Sequence, residues 1–206
     1  PQALWLDERG ELAASGVAWF ITVRDGVAPA LPAMRRIETA YRDRQGAALA
    51  RAVAPDPLQA VAIVGGDVFD SERGVVLPRT TVVVRGDRIV AVGPADSVAV
   101  PAGARTVDAR GKTVIPGMWD MHTHAQLATQ SSTAPMQLAG GITTVRDLAA
   151  DIDVAVAHRD RADAGEILAP RYLLGGFIEG PLRWAGPTEV LVHDEAGARA
   201  WVARYD

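Results

Sequence analysis

The residues best equipped for chemistry in this sequence fall within five positions, Asp120-Met121-His122-Thr123-His124. Along an extended chain, residues two apart point to the same side, so the imidazoles of His122 and His124 converge and Asp120 shares their parity. Neutral imidazole is a good ligand for Zn²⁺ or a similar transition metal, and two rings held a few ångströms apart make half of a site. Taken alone, the spacing is a weak signal and favours two partly exposed imidazoles at a strand end. Asp120 reads either as a carboxylate that supports a ligand from behind or as a cap in a tight loop.

The segments that must position this pentapeptide are β followed by α. Val114–His122 reads as a strand entering a loop, Ser132–Leu138 as a helix closed by Gly140-Gly141, and Ile142–Val145 as a buried strand. Asp151–Ala164 is helical, Tyr172–Leu174 a third strand, and Asp194–Tyr205 a helix with Ala198, Trp201, Val202 and Tyr205 on one face. Strands separated by helices indicate a parallel sheet. Upstream, residues 59–113 are short strands: Ala60–Val64 before Gly65-Gly66, then Thr80–Arg85 and Arg88–Val92 around the hairpin turn Gly86-Asp87. Arg105–Asp108 and Thr113–Ile115 follow, and the zone suits a small β-sandwich or half-barrel. Residues 1–26 read as a β-meander from Leu4–Leu6 and Val17–Val23. Residues 30–53 read as a helix with Leu31, Met34, Ile37 and Tyr41 on one stripe and Leu49 and Val53 further on; its arginines read as a solvated face, with a binding patch as the alternative. Ala54-Pro55-Asp56-Pro57 reads as a linker, because Pro57 disfavours the helical conformation at Asp56.

Composition narrows the classes. The chain has 206 residues, 49% of them apolar and 22% charged, with a formal charge of −4, which excludes collagen-like, coiled-coil and charge-rich disordered chains. The acidic balance gives no reason to expect nucleic acid as a partner, and no run approaches the ~18–20 apolar residues of a membrane helix. Cysteine is absent, which excludes disulfides and thiolate chemistry, and all but Lys112 of the 21 basic residues are arginine. Localisation is not legible in such a sequence.

Three ordered stretches carry a resemblance. Ala62–Asp70, Val84–Gly93 and Val107–His124 in sequence, followed by Gly141-Ile142-Thr143-Thr144-Val145-Arg146-Asp147-Leu148, resemble the amidohydrolase superfamily of metal-dependent hydrolases, in its prolidase and imidazolonepropionase-like branch. The resemblance covers roughly residues 60–206. It implies an α/β fold, the first part of a (β/α)₈ TIM-type barrel of about three βα units in residues 114–206, preceded by a β-sandwich segment in 59–113. Residues 1–58, the meander and helix, match nothing and have no assigned role.

The same resemblance places His122 and His124 on the family's first-strand metal ligands and implies one or two divalent transition-metal ions, zinc first among them. It implies hydrolysis of a C–N bond (amide, cyclic amide or dipeptide) by metal-activated water. The family's other ligands and its general-base Asp follow later strands, so they are expected beyond residue 206. Lys112 precedes the first barrel strand and does not match the family's bridging lysine. At ~250 residues for eight βα units, 93 residues supply about three, and such an open sheet exposes an apolar edge. The chain alone is therefore expected to be an incomplete, inactive portion of an enzyme, its missing strands coming from the rest of the gene product or a second chain. Its partner is a small-molecule substrate, with homo-oligomerisation left open.

Arg146 and Asp147 follow the second barrel strand and Glu179 the third, so all three are candidates on the substrate side or behind the ligands. A structural Arg146–Asp147 ion pair is the preferred reading of the first two. His158 reads as a surface residue, His193 as local or exposed, and Trp184 and Trp201 as packing residues. The competing hypotheses are a non-catalytic scaffold or interaction module that has lost its metal, and one chain of a two-chain hydrolase.

Overall fold

A computed structural model of the chain describes residues 3–16, 21–53, 59–124, 133–183, 185–186, 188 and 190–205. The chain divides into two compact units, Ala54–Gly117, and Pro1–Val53 together with Met118–Asp206.

The N-terminal segment forms a three-stranded antiparallel sheet of β1 (Ala3–Leu6), β2 (Leu12–Gly16) and β3 (Ile21–Val23). Asp7 organises its first turn: Oδ1 accepts the Arg9 and Glu11 amides at 2.9 Å each, and Oδ2 accepts Arg24 Nη1 at 2.8 Å. The strand expected over Val17–Val23 is seen at Ile21–Val23, and Val17–Phe20 lie outside the described residues. β2 was not foreseen, because its buried residues are the small Ala13 and Ala14.

Helix α1 (Leu31–Val53) follows a short 3₁₀ turn at Ala28–Ala30. Pro32 is tolerated in its first turn, where the missing N–H has no intrahelical partner. The expected apolar stripe holds at Leu31 and Met34, which are half-buried, and is corrected beyond them. Ile37 and Tyr41 are 60% and 56% exposed, and the buried positions are Gly46 and Ala50. The helix is covered where its residues are small, and its neighbouring polar positions are engaged. Arg42 pairs with Glu38, and Asp43 accepts Arg161 Nη1 at 3.1 Å. The linker read at Ala54–Pro57 lies outside the described residues.

In Ala54–Gly117, the described residues form one five-stranded sheet. Its strands are β4 (Val61–Asp70), β5 (Val75–Arg85), β6 (Arg88–Pro94), β7 (Arg105–Asp108) and β8 (Thr113–Val114). The order is β6-β5-β4-β7, with β8 also pairing β4, and both β7 and β8 run parallel to β4. The hairpin read at Gly86-Asp87 is present, with Arg85 opposite Arg88 and Gly86 at φ +59°. β4 runs on through Gly65-Gly66, where the sequence suggested a stop, and its pairing shifts register on either side of Gly66. A Cβ on Gly66 would lie 2.9 Å from the Ala109 methyl and 3.0 Å from Val114 Cγ2, so close approach explains the glycine.

The segment from Met118 is built of β9 (Met118–Thr123), α2 (Thr133–Ala139), β10 (Ile142–Ala150), α3 (Ile152–Asp163), β11 (Arg171–Gly176) and α4 (Glu195–Tyr205). Its sheet order is β11-β10-β9, all parallel. Helix α2 is described from Thr133, and the expected first residue, Ser132, lies outside the described residues. It closes as its C-terminal glycines predict: the Gly140 amide donates to Met136 O at 2.9 Å, and Gly141 takes φ +85°. The Gly141 carbonyl then accepts the Met118 amide at 2.9 Å, which aligns β9 with the start of β10. Val145 and Tyr172 form the core of the sheet, packed by Ile142, Ala162, Ala169 and Leu174. β9 is an edge strand in this sheet, and Met118, Trp119 and Met121 along it are exposed.

Candidate functional site

The C-terminal ends of β9 and β10 gather the candidate residues. Parallel pairing sets Val145 opposite Asp120 and Asp147 opposite Thr123. That interval has three steps on β9 and two on β10, so β9 carries an extra residue just where the histidines begin. Such a bulge re-aims side chains at a strand end, and Asp147 on β10 lies 3.9 Å from His124 Nδ1.

The two imidazoles stand with ring centroids 5.3 Å apart and planes at 81°. Metal–nitrogen distances of ~2.1 Å and a tetrahedral angle put two co-ligating imidazole centroids roughly 5 Å apart, so the pair fits joint ligation of one divalent ion. His122 is exposed and His124 half-buried. Among the described residues, no cluster of three or more His, Asp or Glu side chains is placed to hold a metal. The pair therefore fits part of a metal shell.

Asp120 Oδ1 accepts the His122 backbone amide at 3.1 Å. This is the capping geometry that sequence reading left open beside a supporting role, and it fixes the backbone that carries the first imidazole.

The Arg146–Asp147 ion pair expected from sequence is not formed, because consecutive residues of β10 project to opposite sides. Arg146 is exposed, and its Nε donates to the Met121 carbonyl at 2.9 Å, clamping β9 one residue before His122. Asp147 is fully buried; its Oδ1 accepts the Ala149 amide at 3.0 Å and lies 3.9 Å from His124 Nδ1.

Glu179 is half-buried beyond β11. Its Oε1 accepts the Gly180 amide at 3.1 Å, and its backbone forms a parallel bridge with Leu191. The only lysine, Lys112, is exposed in the turn between β7 and β8. His193 is exposed as expected, and the neighbouring Asp194 caps α4 by accepting the Gly197 amide at 2.8 Å. Trp201 packs against Tyr205, with ring centroids 5.6 Å apart, beneath the Arg204 guanidinium. Trp184 lies outside the described residues.

His158 is a correction. It is 5% exposed rather than on the surface, with its ring edge-on to Tyr172 at 5.3 Å between centroids. Desolvation pushes its pKa down to about 4; nearby Arg161 adds to the fall, and Asp43 opposes it. The Tyr172 hydroxyl is pushed up to about 12 by its own burial and by the Asp147 charge.

Fold and site together define an α/β protein of parallel β–α units, with two imidazoles and a buried carboxylate at adjacent strand ends. No family model matches the chain. It is 33% identical over 159 residues to a dihydroorotase of Anaeromyxobacter dehalogenans, a match covering 70% of this chain and 34% of that protein. It is 43% identical over 72 residues to an imidazolonepropionase of Symbiobacterium thermophilum, covering 33% of this chain and 17% of the relative. Its structure is similar to that of a Bifidobacterium longum protein assigned as a prolidase. The TM-score is 0.62 at 32% identity, over 72% of this chain and 38% of that one. The chain thus spans between 17% and 38% of the length of these proteins. It belongs to the amidohydrolase superfamily.

Proposed function

We propose that the whole protein is a metal-dependent hydrolase of C–N bonds in a small amide, cyclic amide or dipeptide. In this reading the β9–β11 segment is the first three βα units of a (β/α)₈ barrel, and the sheet of Ala54–Gly117 belongs to the accompanying β-sandwich. The observation that supports it is the imidazole pair, 5.3 Å apart at the C-terminal end of a parallel strand, the end where such barrels place their active sites.

His122 and His124 would hold a divalent transition metal, with zinc the first expectation. Such an ion, when bound, activates water at neutral pH and polarises the scissile carbonyl. Asp120 holds the His122 amide, and Arg146 holds the Met121 carbonyl. Both anchor backbone, so the ligand-bearing segment need not reorganise when the site is filled. The remaining ligands and the general base are assigned to sequence outside this chain, from the same gene product or a second polypeptide.

Metal analysis after reconstitution tests the reading. The protein is expected to take up Zn²⁺, Co²⁺ or Mn²⁺, and His122→Ala and His124→Ala each to lose it. Hydrolysis by the whole protein, assayed on a prolyl dipeptide, a dihydroorotate and an imidazolone, should disappear on chelation. Full metal uptake by the double His→Ala variant would refute the assignment.

A further inference from the structure

Among the described residues, Asp147 is the one carboxylate wholly removed from solvent, and it stands beside a half-buried imidazole. The backbone holds it from two directions. Parallel pairing places it opposite Thr123, the residue before His124, and its Oδ1 takes the Ala149 amide at 3.0 Å. His124 turns Nδ1 toward that same oxygen at 3.9 Å, longer than a hydrogen bond. Hydrogen bonds of this kind are often long before a site is loaded and tighten on assembly.

An imidazole can offer only one unprotonated nitrogen, and the partner of the other nitrogen decides which one. From this geometry we infer that Asp147 is the positioning residue of His124. Its buried carboxylate takes the Nδ1–H and leaves Nε2 unprotonated as the ligating atom. No covalent bond changes; the proton is merely held on Nδ1. The inference rests on the metal-site reading above and deepens it. Arg146 and Asp147 thereby share one task from opposite sides of β10, the first fixing backbone at Met121 and the second fixing the ring of His124.

The test reads the tautomer directly, in ¹⁵N-resolved imidazole spectra of the metal-free protein above the histidine titration range. Zn²⁺ affinity is measured alongside. His124 is expected to carry its proton on Nδ1. In Asp147→Asn that preference should weaken, the His122 signals should stay as they were, and Zn²⁺ affinity should fall about 10- to 100-fold. A wild-type His124 protonated on Nε2 overturns the inference without recourse to any variant. An Asp147→Asn protein with wild-type Zn²⁺ affinity overturns it as well. His122→Ala separates the two claims. If it abolishes Zn²⁺ binding while Asp147→Asn leaves the His124 tautomer untouched, the metal site stands and the positioning role falls. If it leaves Zn²⁺ binding intact, the metal-site reading falls and takes the inference with it.

Discussion

His158 should make the folded chain sensitive to acid in a way that one substitution removes. It sits on α3 against Tyr172, with Arg161 on its own helix and Asp43 from α1 as its charged neighbours. Burial disfavours the imidazolium, so the folded pKa lies at about 4 against 6.5 for the free side chain. A base with a depressed folded pKa binds fewer protons folded than unfolded. Stability therefore rises with pH across the interval between the two values and is lost as pH falls through it. With these two values, a drop from about pH 7 to about pH 5 costs roughly 2 kcal/mol, and the full effect below both is about 3 kcal/mol. His158→Phe keeps an edge-on ring against Tyr172 and has no proton to bind. Urea unfolding across this range should show the wild type losing about 2 kcal/mol more than the variant. Parallel pH profiles for the two proteins would refute the reasoning. So would an NMR titration that finds folded His158 titrating near its free value.

The neighbours of His158 give a test of sign: Arg161→Ala should raise its pKa and Asp43→Asn lower it further, both read by NMR titration. The partly exposed Arg161–Asp43 bridge itself should contribute less than about 1 kcal/mol to stability. At the end of β11, a Cβ on Gly176 would lie 2.0 Å from Tyr205 Cε2. Gly176→Ala should therefore destabilise by roughly 1–3 kcal/mol, and much less in a Tyr205→Ala background. A double-mutant cycle by urea unfolding checks this, and strict additivity would show that the ring is not the obstacle.

Elements announced by backbone chemistry were legible in the sequence. Gly86-Asp87 between two β-branched runs specifies the β5–β6 turn, and Gly140-Gly141 closes α2, since only glycine takes φ +85° without strain. Elements whose evidence is a small side chain were not. β2 buries Ala13 and Ala14, and α1 is covered over Gly46 and Ala50. Hydrophobic periodicity weights large residues, so it selected Leu31 and Met34, which are half-buried, together with Ile37 and Tyr41, which are exposed. Gly65-Gly66 misled in the opposite sense: the pair reads as punctuation, yet β4 continues through it because Ala109 and Val114 leave no room for a side chain.

The candidate site divides along the same line. His122 and His124 stand two apart near a strand end, and period-2 alternation is enough to predict that they converge. Asp147 is different. Its sequence neighbour is a cation, so charge pairing is the natural reading, and the alternation that brings the histidines together is what forbids that pair. Its actual neighbour, His124, is 23 positions away and depends on the register of β9 against β10. That register includes an extra residue on β9, which no local pattern encodes. In a parallel pair, residues directly opposite share a face, so an unbroken register from Asp120–Val145 would set Asp147 opposite His122; the inserted residue sets it opposite Thr123 instead, one position before His124. The H-x-H spacing brings the histidines together, and the pairing of the two strand ends brings Asp147 within 3.9 Å of His124 Nδ1.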